Sequence, residues 1–268
     1  MTGEPRLPPH AAETIHQFLR AHVRAAGAKG VLVGLSGGID SAVVVRLARD
    51  ALGAERVWGA LVPDAAFPPA LLEETQRYAR DLGVPTRLVP LAPLAEAAAR
   101  LLPEVTDRVA AGNLKVRLRF AVLYALAREH GALVAGAGNK SELLLGYFTK
   151  YGDGGVDLLP IGDLYKTDVR ALAAELGVPE PIRARPPTAG FWEGQTDEEE
   201  LGATYDVLDR VLLGLEELRP PEEVAARAGV PVDLVASIAS RVLRERHKRV
   251  PVPIPKLRLR TVGLDWRD

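Results

Sequence analysis

The 268-residue sequence contains no cysteine. Disulfides, thiolate-bound zinc, iron–sulfur clusters, thiolate nucleophiles and CxxC redox exchange are therefore excluded. An excess of either charge is also missing: 34 Lys and Arg face 35 Asp and Glu, for a net charge of -1. That balance speaks against a protein built to bind nucleic acid non-specifically. Long apolar runs are absent as well, because residues such as Lys29 and Asp40 interrupt them before the roughly 20 residues a membrane helix requires. The opening MTGEPRLPPH has an acid and prolines where a secretory signal has a basic stretch and an apolar run, so a cytoplasmic protein without a membrane partner is expected. Lysine is scarce beside arginine, yet Lys140, Lys150 and Lys166 fall within one short segment, as if a compact ammonium were needed there.

What is present is ordinary for a soluble domain: 47% hydrophobic and 26% charged residues. The length suits one domain of roughly 200–250 residues with an appendage, able to bury about 70–75% of its unfolded surface. Residues 12–27 repeat Ile15, Phe18, Leu19 and Val23 at helical spacing. GVLVGL (30–35) is a short apolar run suited to a buried parallel strand. The alternation then continues with helix 42–52, strand 56–63, helix 71–83, strand 86–91, helix 94–102, helix 113–131 and strand 132–138. Short strands alternating with helices predict a parallel sheet with right-handed crossovers. We expect an α/β fold: a doubly wound, mostly parallel sheet of five strands, flanked by helices. Its fifth strand would lie in the glycine- and aspartate-rich segment 150–164.

A helix is expected over 167–176, a long loop over 186–200 ending at an N-cap Thr196 with Glu199 at N3, and helix throughout 200–245. The organisation is that of a single domain: a core over about 28–180, a loop and helical part over 181–250, and a basic, proline-rich tail over 251–268.

The strongest local signal is GLSGGIDS (34–41), lying between a predicted strand and a predicted helix, where a phosphate-binding loop belongs. Gly37 and Gly38 allow close approach of the backbone to an anion. The helix that follows offers free N–H groups and a positive dipole end, while Ser36 and Ser41 add hydroxyls. No lysine is present in the loop, which excludes a Walker A motif, and the spacing is not GxGxxG. An aspartate here would repel phosphate unless a cation lay between them, so Asp40 is a candidate magnesium ligand.

SGGIDS resembles the signature of the PP-loop ATP pyrophosphatases. GNKSELLLGYFTKYGDGGVDLLPIGDLYKTDVRALAAELGVPE (138–180), with NLKVRLR (113–119), PPTAGFWEGQTDEEELG (186–202) and RHKR (246–249), more closely resembles the ammonia-dependent NAD+ synthetases within that superfamily. The likeness runs from about residue 12 to 250 and is weakest at 62–75. It implies amidation of deamido-NAD+ by ammonia, with ATP cleaved to AMP and pyrophosphate through an adenylated intermediate. It implies Gly34, Leu35, Ser36, Gly37, Gly38, Ile39, Asp40, Ser41, Ala137, Lys166 and Thr188 around ATP and pyrophosphate. Asp40 and Glu142 would hold magnesium, with Asp40, Glu142 and Lys166 carrying catalysis by positioning and charge neutralisation. Arg117, Lys150, Asp157, His247 and Lys248 would hold deamido-NAD+, with Tyr147 and Phe148 offering aromatic surface to its nicotinate ring. Asp153 or Asp157 is a candidate for taking the proton from ammonium.

Two departures stand out. Relatives commonly carry Thr where this chain has Ala137, and LVPDAAFPP (61–69) replaces a polar nucleotide-contacting stretch. The family is dimeric, and helix 113–130 is a candidate interface element. Glutamine-using relatives draw ammonia from a cysteine-dependent amidase, so this chain is expected to use free ammonia. Alternatives are a PP-loop ligase amidating or thiolating another substrate, and a non-catalytic nucleotide-binding protein. The joint presence of Asp40, Glu142, Lys150 and Lys166 argues against the last.

Overall fold

The computed structural model describes residues 5–192 and 194–262. Helix α1 (Ala11–Ala25) buries Ile15, Leu19 and Val23, three residues spaced by four, along one stripe. Strand β1 (Gly30–Gly34), helix α2 (Ile39–Leu52), strand β2 (Val57–Leu61), helix α3 (Pro69–Asp81) and strand β3 (Thr86–Leu88) follow. Helices α4 (Ala92–Leu101) and α5 (Arg108–His130) return the chain to strand β4 (Ala132–Ala135). The sheet order is β3-β2-β1-β4, with every pairing parallel.

Alternation along β1 divides the core. Val31 and Val33 pack with α1 and α2, while Leu32 faces the other way, towards Ala60, Leu123, Ala127 and Val134. Helices thus cover both faces, and the winding reverses between β1 and β4. The loop after β1 opens at that switch point, the crevice where open α/β sheets take their ligands.

Three expectations need correction. The sheet has four ordered strands among the described residues, not five. The 150–164 segment contributes a single parallel bridge, Ala135 with Leu158. Gly136 N–H still donates to Leu158 O at 2.8 Å, but Pro160 has no N–H to continue the ladder and Gly162 N–H turns back to Leu159 O. The long helix starts at Arg108 rather than near Asn113, because Asp107 caps it: Oδ1 accepts from Ala110 N–H at 2.7 Å. Residues 200–245 are not one helical run. Helix α6 (Lys140–Leu145), α7 (Lys166–Glu175), α8 (Glu180–Arg183) and the five-residue α9 (Asp197–Leu201) lead into α10 (Tyr205–Glu216), α11 (Pro221–Ala228) and α12 (Val232–Arg244). Pro220 and Pro231 sit at the N-caps that separate the last three.

The last three helices bury their own cluster, including Leu208, Leu212, Val224, Val235 and Ile238, joined by Leu145 and Tyr165 from the sheet side. A short 3-10 turn, Glu245–Lys248, follows α12, and residues 249–262 form no regular element. Among the described residues no helix is long and apolar enough to cross a membrane.

Candidate active site

Two helix starts meet the glycine loop above the end of β1. α2 begins at Ile39 with Asp40 in its first turn. α6 begins after Asn139, which forms a full capping box: Asn139 Oδ1 accepts from Glu142 N–H at 3.0 Å, and Glu142 Oε2 accepts from Asn139 N–H at 3.2 Å. The box fixes the Glu142 carboxylate beside the loop. Asn139 Nδ2 also donates to Asp40 Oδ1 at 3.1 Å, so one wholly buried amide orients both acids.

Lys166 opens α7 and is buried between them. Its Nζ lies 2.5 Å from Asp40 Oδ2 and 3.6 Å from Glu142 Oε1. Burial alone would favour the neutral amine, but the two carboxylates more than offset that and raise its pKa. Glu142 is pushed up to about 8. Burial is the largest cause and the Asp40 charge adds to it, against the opposing pull of Lys166. Lys166 Nζ also stands 5.3 Å from the centre of the Tyr205 ring. Tyr205 OH donates to buried Asp197 at 3.2 Å, and burial raises the pKa of Asp197.

The α6 and α7 starts are held from below by α10. Ser141 Oγ donates to Asp209 Oδ1 at 2.5 Å and accepts from Lys166 N–H at 2.9 Å, while Thr167 N–H donates to Asp209 Oδ2 at 2.9 Å. Asn139, Asp197 and Asp209 were missed from sequence. For Asn139 a signal existed in the N-x-x-E spacing of NKSE. For Asp209 it was an acid on the apolar face of a helix.

The glycine loop is pre-formed. Ser36 and Ser41 hydroxyls lie 3.2 Å apart, Ser41 Oγ donates to Gly38 O at 3.0 Å, and Gly38 N–H reaches Ser36 Oγ at 3.3 Å. Gly37 has φ +76, and a Cβ there would lie 2.6 Å from a Leu71 methyl, so only glycine fits. α3 therefore packs directly on the loop.

A second cluster forms at the far end of the 146–157 loop. Arg117 Nε donates to Lys150 O at 3.2 Å, Lys150 Nζ to His247 O at 2.8 Å, and Lys248 Nζ to Gly146 O at 2.7 Å. Lys248 also stands 5.7 Å from the Phe148 ring. Four of the five residues expected around the dinucleotide are thus brought together. Asp157 is placed elsewhere: its carboxylate accepts from Val134 N–H at 2.7 Å and Tyr124 OH at 3.2 Å, at the β4 edge. Asp153 lies within the loop, accepts from Thr149 N–H at 2.7 Å, and is pushed up to about 6 by burial, against the opposing charges of Arg119 and Lys248. Ala137 packs against the main core. Thr188 accepts locally from Gly190 N–H at 3.0 Å, with no bond to Lys166.

Fold and site together define an α/β protein with a glycine-rich loop at the switch point of a doubly wound sheet, beside a largely buried carboxylate–lysine cluster. The model of the NAD synthase family matches residues 11–252. The chain belongs to that family. An NH(3)-dependent NAD(+) synthetase from Methanococcoides burtonii is 45% identical over 249 residues, 92% of this chain and 95% of that protein. Among solved structures, NMN synthetase from Francisella tularensis matches with a TM-score of 0.82 and 30% identity, over 94% of this chain and 100% of that one. NH3-dependent NAD synthetase from Campylobacter jejuni, in complex with the nitrate ion, matches at 0.77 and 31%, over 92% and 97%.

Proposed function

We infer that this protein is a ligase that makes NAD+ from deamido-NAD+ and free ammonia, using ATP. The carrying observation is the buried set Asp40, Glu142 and Lys166 at the mouth of the glycine loop, in a chain whose relatives at this level of identity are named for that activity. The nicotinate carboxylate attacks the α-phosphorus of ATP, and pyrophosphate leaves. Ammonia then attacks the activated carbonyl, releasing AMP and NAD+.

The residues present fit a magnesium ion. Two carboxylates converge on one ammonium, and once both are ionised they carry more negative charge than Lys166 alone neutralises. Hard oxygen donors, few in number and completed by substrate phosphates, suit this cation. Magnesium bound by Asp40 and Glu142 would neutralise charge on the phosphates. With the carboxylates so engaged, Lys166 Nζ is free to donate to ATP phosphate oxygens. The Gly37 and Gly38 backbone with Ser36 and Ser41 cradles the departing pyrophosphate, largely by positioning. Thr188 and the main chain around Ala137 complete the ATP side.

The second cluster serves the acceptor. Lys150, Lys248 and Arg117 now donate to carbonyls of the chain itself, and the same donors suit the dinucleotide phosphates. His247 lies against them. Asp157 supports this region through the sheet edge. Asp153, raised to about 6, is poised to take a proton from ammonium near neutral pH.

The active unit is proposed to be a cytoplasmic homodimer. α4 has no fully buried residue, and Leu94, Leu101, Leu102, Val109 and Tyr124 on or beside α4 and α5 are exposed, an apolar surface a second copy would cover.

The test is an assay of ATP, Mg2+, ammonium and deamido-NAD+, following NAD+ and AMP. NAD+ and AMP should form in equal amounts. Formation of ADP rules out the pyrophosphatase reading. The likeness to an NMN synthetase supports a second acceptor, nicotinate mononucleotide. Amidation of the mononucleotide in preference to the dinucleotide would replace the first acceptor with it.

A further inference from the structure

Arg185 lies just beyond α8, outside every set of residues so far placed around a substrate, yet it touches the glycine loop. One guanidinium nitrogen, Nη1, donates to the carbonyl of Gly37, and the other, Nη2, to Glu74 Oε2 on α3. Both side chains are largely shielded, at 27% and 17% exposure. Thr75 and Leu71, neighbours of Glu74 on the same helix, close on Gly37 from the same side.

A trans peptide points its carbonyl and its N–H in opposite directions. With Gly37 C=O turned to Arg185, Gly38 N–H is turned away from it, to the side where Ser36 Oγ lies at 3.3 Å. That is the side on which the Ser36 and Ser41 hydroxyls also meet. A peptide between two glycines has little intrinsic preference between this orientation and its flipped form, because neither residue resists either sign of φ. In the flipped form a carbonyl oxygen would face the pyrophosphate. Inside the loop this orientation is held by the 3.3 Å bond to Ser36 Oγ, and from outside it is held by Arg185 on the Gly37 carbonyl. That outside donor is itself neutralised and aimed by Glu74, so it does not collapse onto the phosphates.

We propose that Arg185, held by Glu74, is a positioning residue for pyrophosphate: it fixes the Gly37–Gly38 peptide so that Gly38 N–H faces the leaving group. The inference rests on the reading of the glycine loop as the pyrophosphate site, and the pyrophosphate-binding arm of its test does not depend on the acceptor.

Binding of inorganic pyrophosphate with Mg2+ is measured by calorimetry on the intact protein, alongside the KM for ATP and for deamido-NAD+. Arg185→Met is expected to weaken pyrophosphate binding and raise the ATP KM by about tenfold, the range of one charge-assisted hydrogen bond. The deamido-NAD+ KM should stay within about twofold. Arg185→Lys retains a donor for the carbonyl and should recover most of the loss, which also carries the test if the Met variant folds poorly. Glu74→Gln should shift binding in the same direction, by less. Unchanged pyrophosphate binding in Arg185→Met overturns the proposal. So does tighter binding in Glu74→Gln, the mark of an arginine freed to grip phosphate directly. Pyrophosphate loss without NAD+ formation by the parent protein would leave Arg185 in place and remove the acceptor assignment.

Discussion

The two clusters of this protein solve the placement of cations in different ways. Around Lys166 the partners are side chains on regular elements: Asp40 on α2, Glu142 on α6, and Asn139 capping α6 between them. Every group there is fixed by a helix start. Around Lys150 and Lys248 the partners are mainly backbone carbonyls of loops and of a 3-10 turn, with one carboxylate, Glu245, 3.0 Å from Lys248 Nζ. The first arrangement is rigid and chemically specific. The second keeps its charges available, since a neutral carbonyl is easily exchanged for a phosphate. On the proposed function, groups that act on the reacting phosphorus need the former, and groups that receive and release a dinucleotide suit the latter.

The largest effect is expected at the first cluster. Asp40→Asn and Glu142→Gln should each lower turnover at least about a hundredfold, because charge neutralisation in a buried site has no substitute. Steady-state rates at saturating substrates measure this. Near-normal turnover in either variant removes that residue from the metal site.

Asp153 tests whether the second region also does chemistry. Asp153→Asn should lower turnover by about 10²–10⁴, the span of a lost general base. It should also make the protein more stable. Burial holds Asp153 up near 6, above the ordinary 3.8, so between about pH 4 and 6 the folded chain keeps a proton that the unfolded chain has released. Stability from this group is then greatest below pH 4 and declines as pH rises through 6, by on the order of 2–3 kcal/mol. Asparagine carries no such cost and still accepts from Thr149 N–H. The thermal midpoint of the variant should exceed the parent's above pH 6 and match it near pH 4; equal midpoints at both would refute the buried-acid account.

Lys150→Met probes the contrast directly. It should raise the deamido-NAD+ KM by about tenfold, one charged contact, while leaving the ATP KM unchanged. If both constants rise together, the two regions are one site and the comparison fails. The smallest effect belongs to the loop between them. Thr196 Oγ1 accepts from Glu199 N–H at 3.4 Å and caps α9. Thr196→Ala should cost about 1 kcal/mol or less locally, read as a shift of a few degrees at most in the midpoint.

How legible these regions were from sequence follows from their construction. SGGIDS sits between a clean apolar strand and a helix, so its place in the fold could be read from residue type and context. Thr196 was legible for the same reason, since capping is local. The fifth strand was overread: VDLLP is apolar enough for a strand, but Pro160 and the turn at Gly162 leave one bridge. The second cluster could not be derived from composition, because Arg117 and Lys150 meet 33 residues apart and Lys150 and His247 97 apart. Only family resemblance pointed there, and the partners it could not supply include those of Asp157, which accepts from Val134 N–H and Tyr124 OH. Arg185 was invisible for a similar reason, as its partner Glu74 lies 111 residues away.

Asp209 carries a consequence for how this chain can change. A single carboxylate on α10 receives hydrogen bonds from Ser141 and Thr167, so the C-terminal helices are not a removable appendage to the sheet. We expect the molecule to unfold as one cooperative unit. A recombination junction placed near residue 200, just before α10, would look harmless along the backbone. It would nonetheless part the α6 and α7 starts from their common anchor, and chimaeras between distant relatives should survive only if both parents supply the same acid and the same two partners.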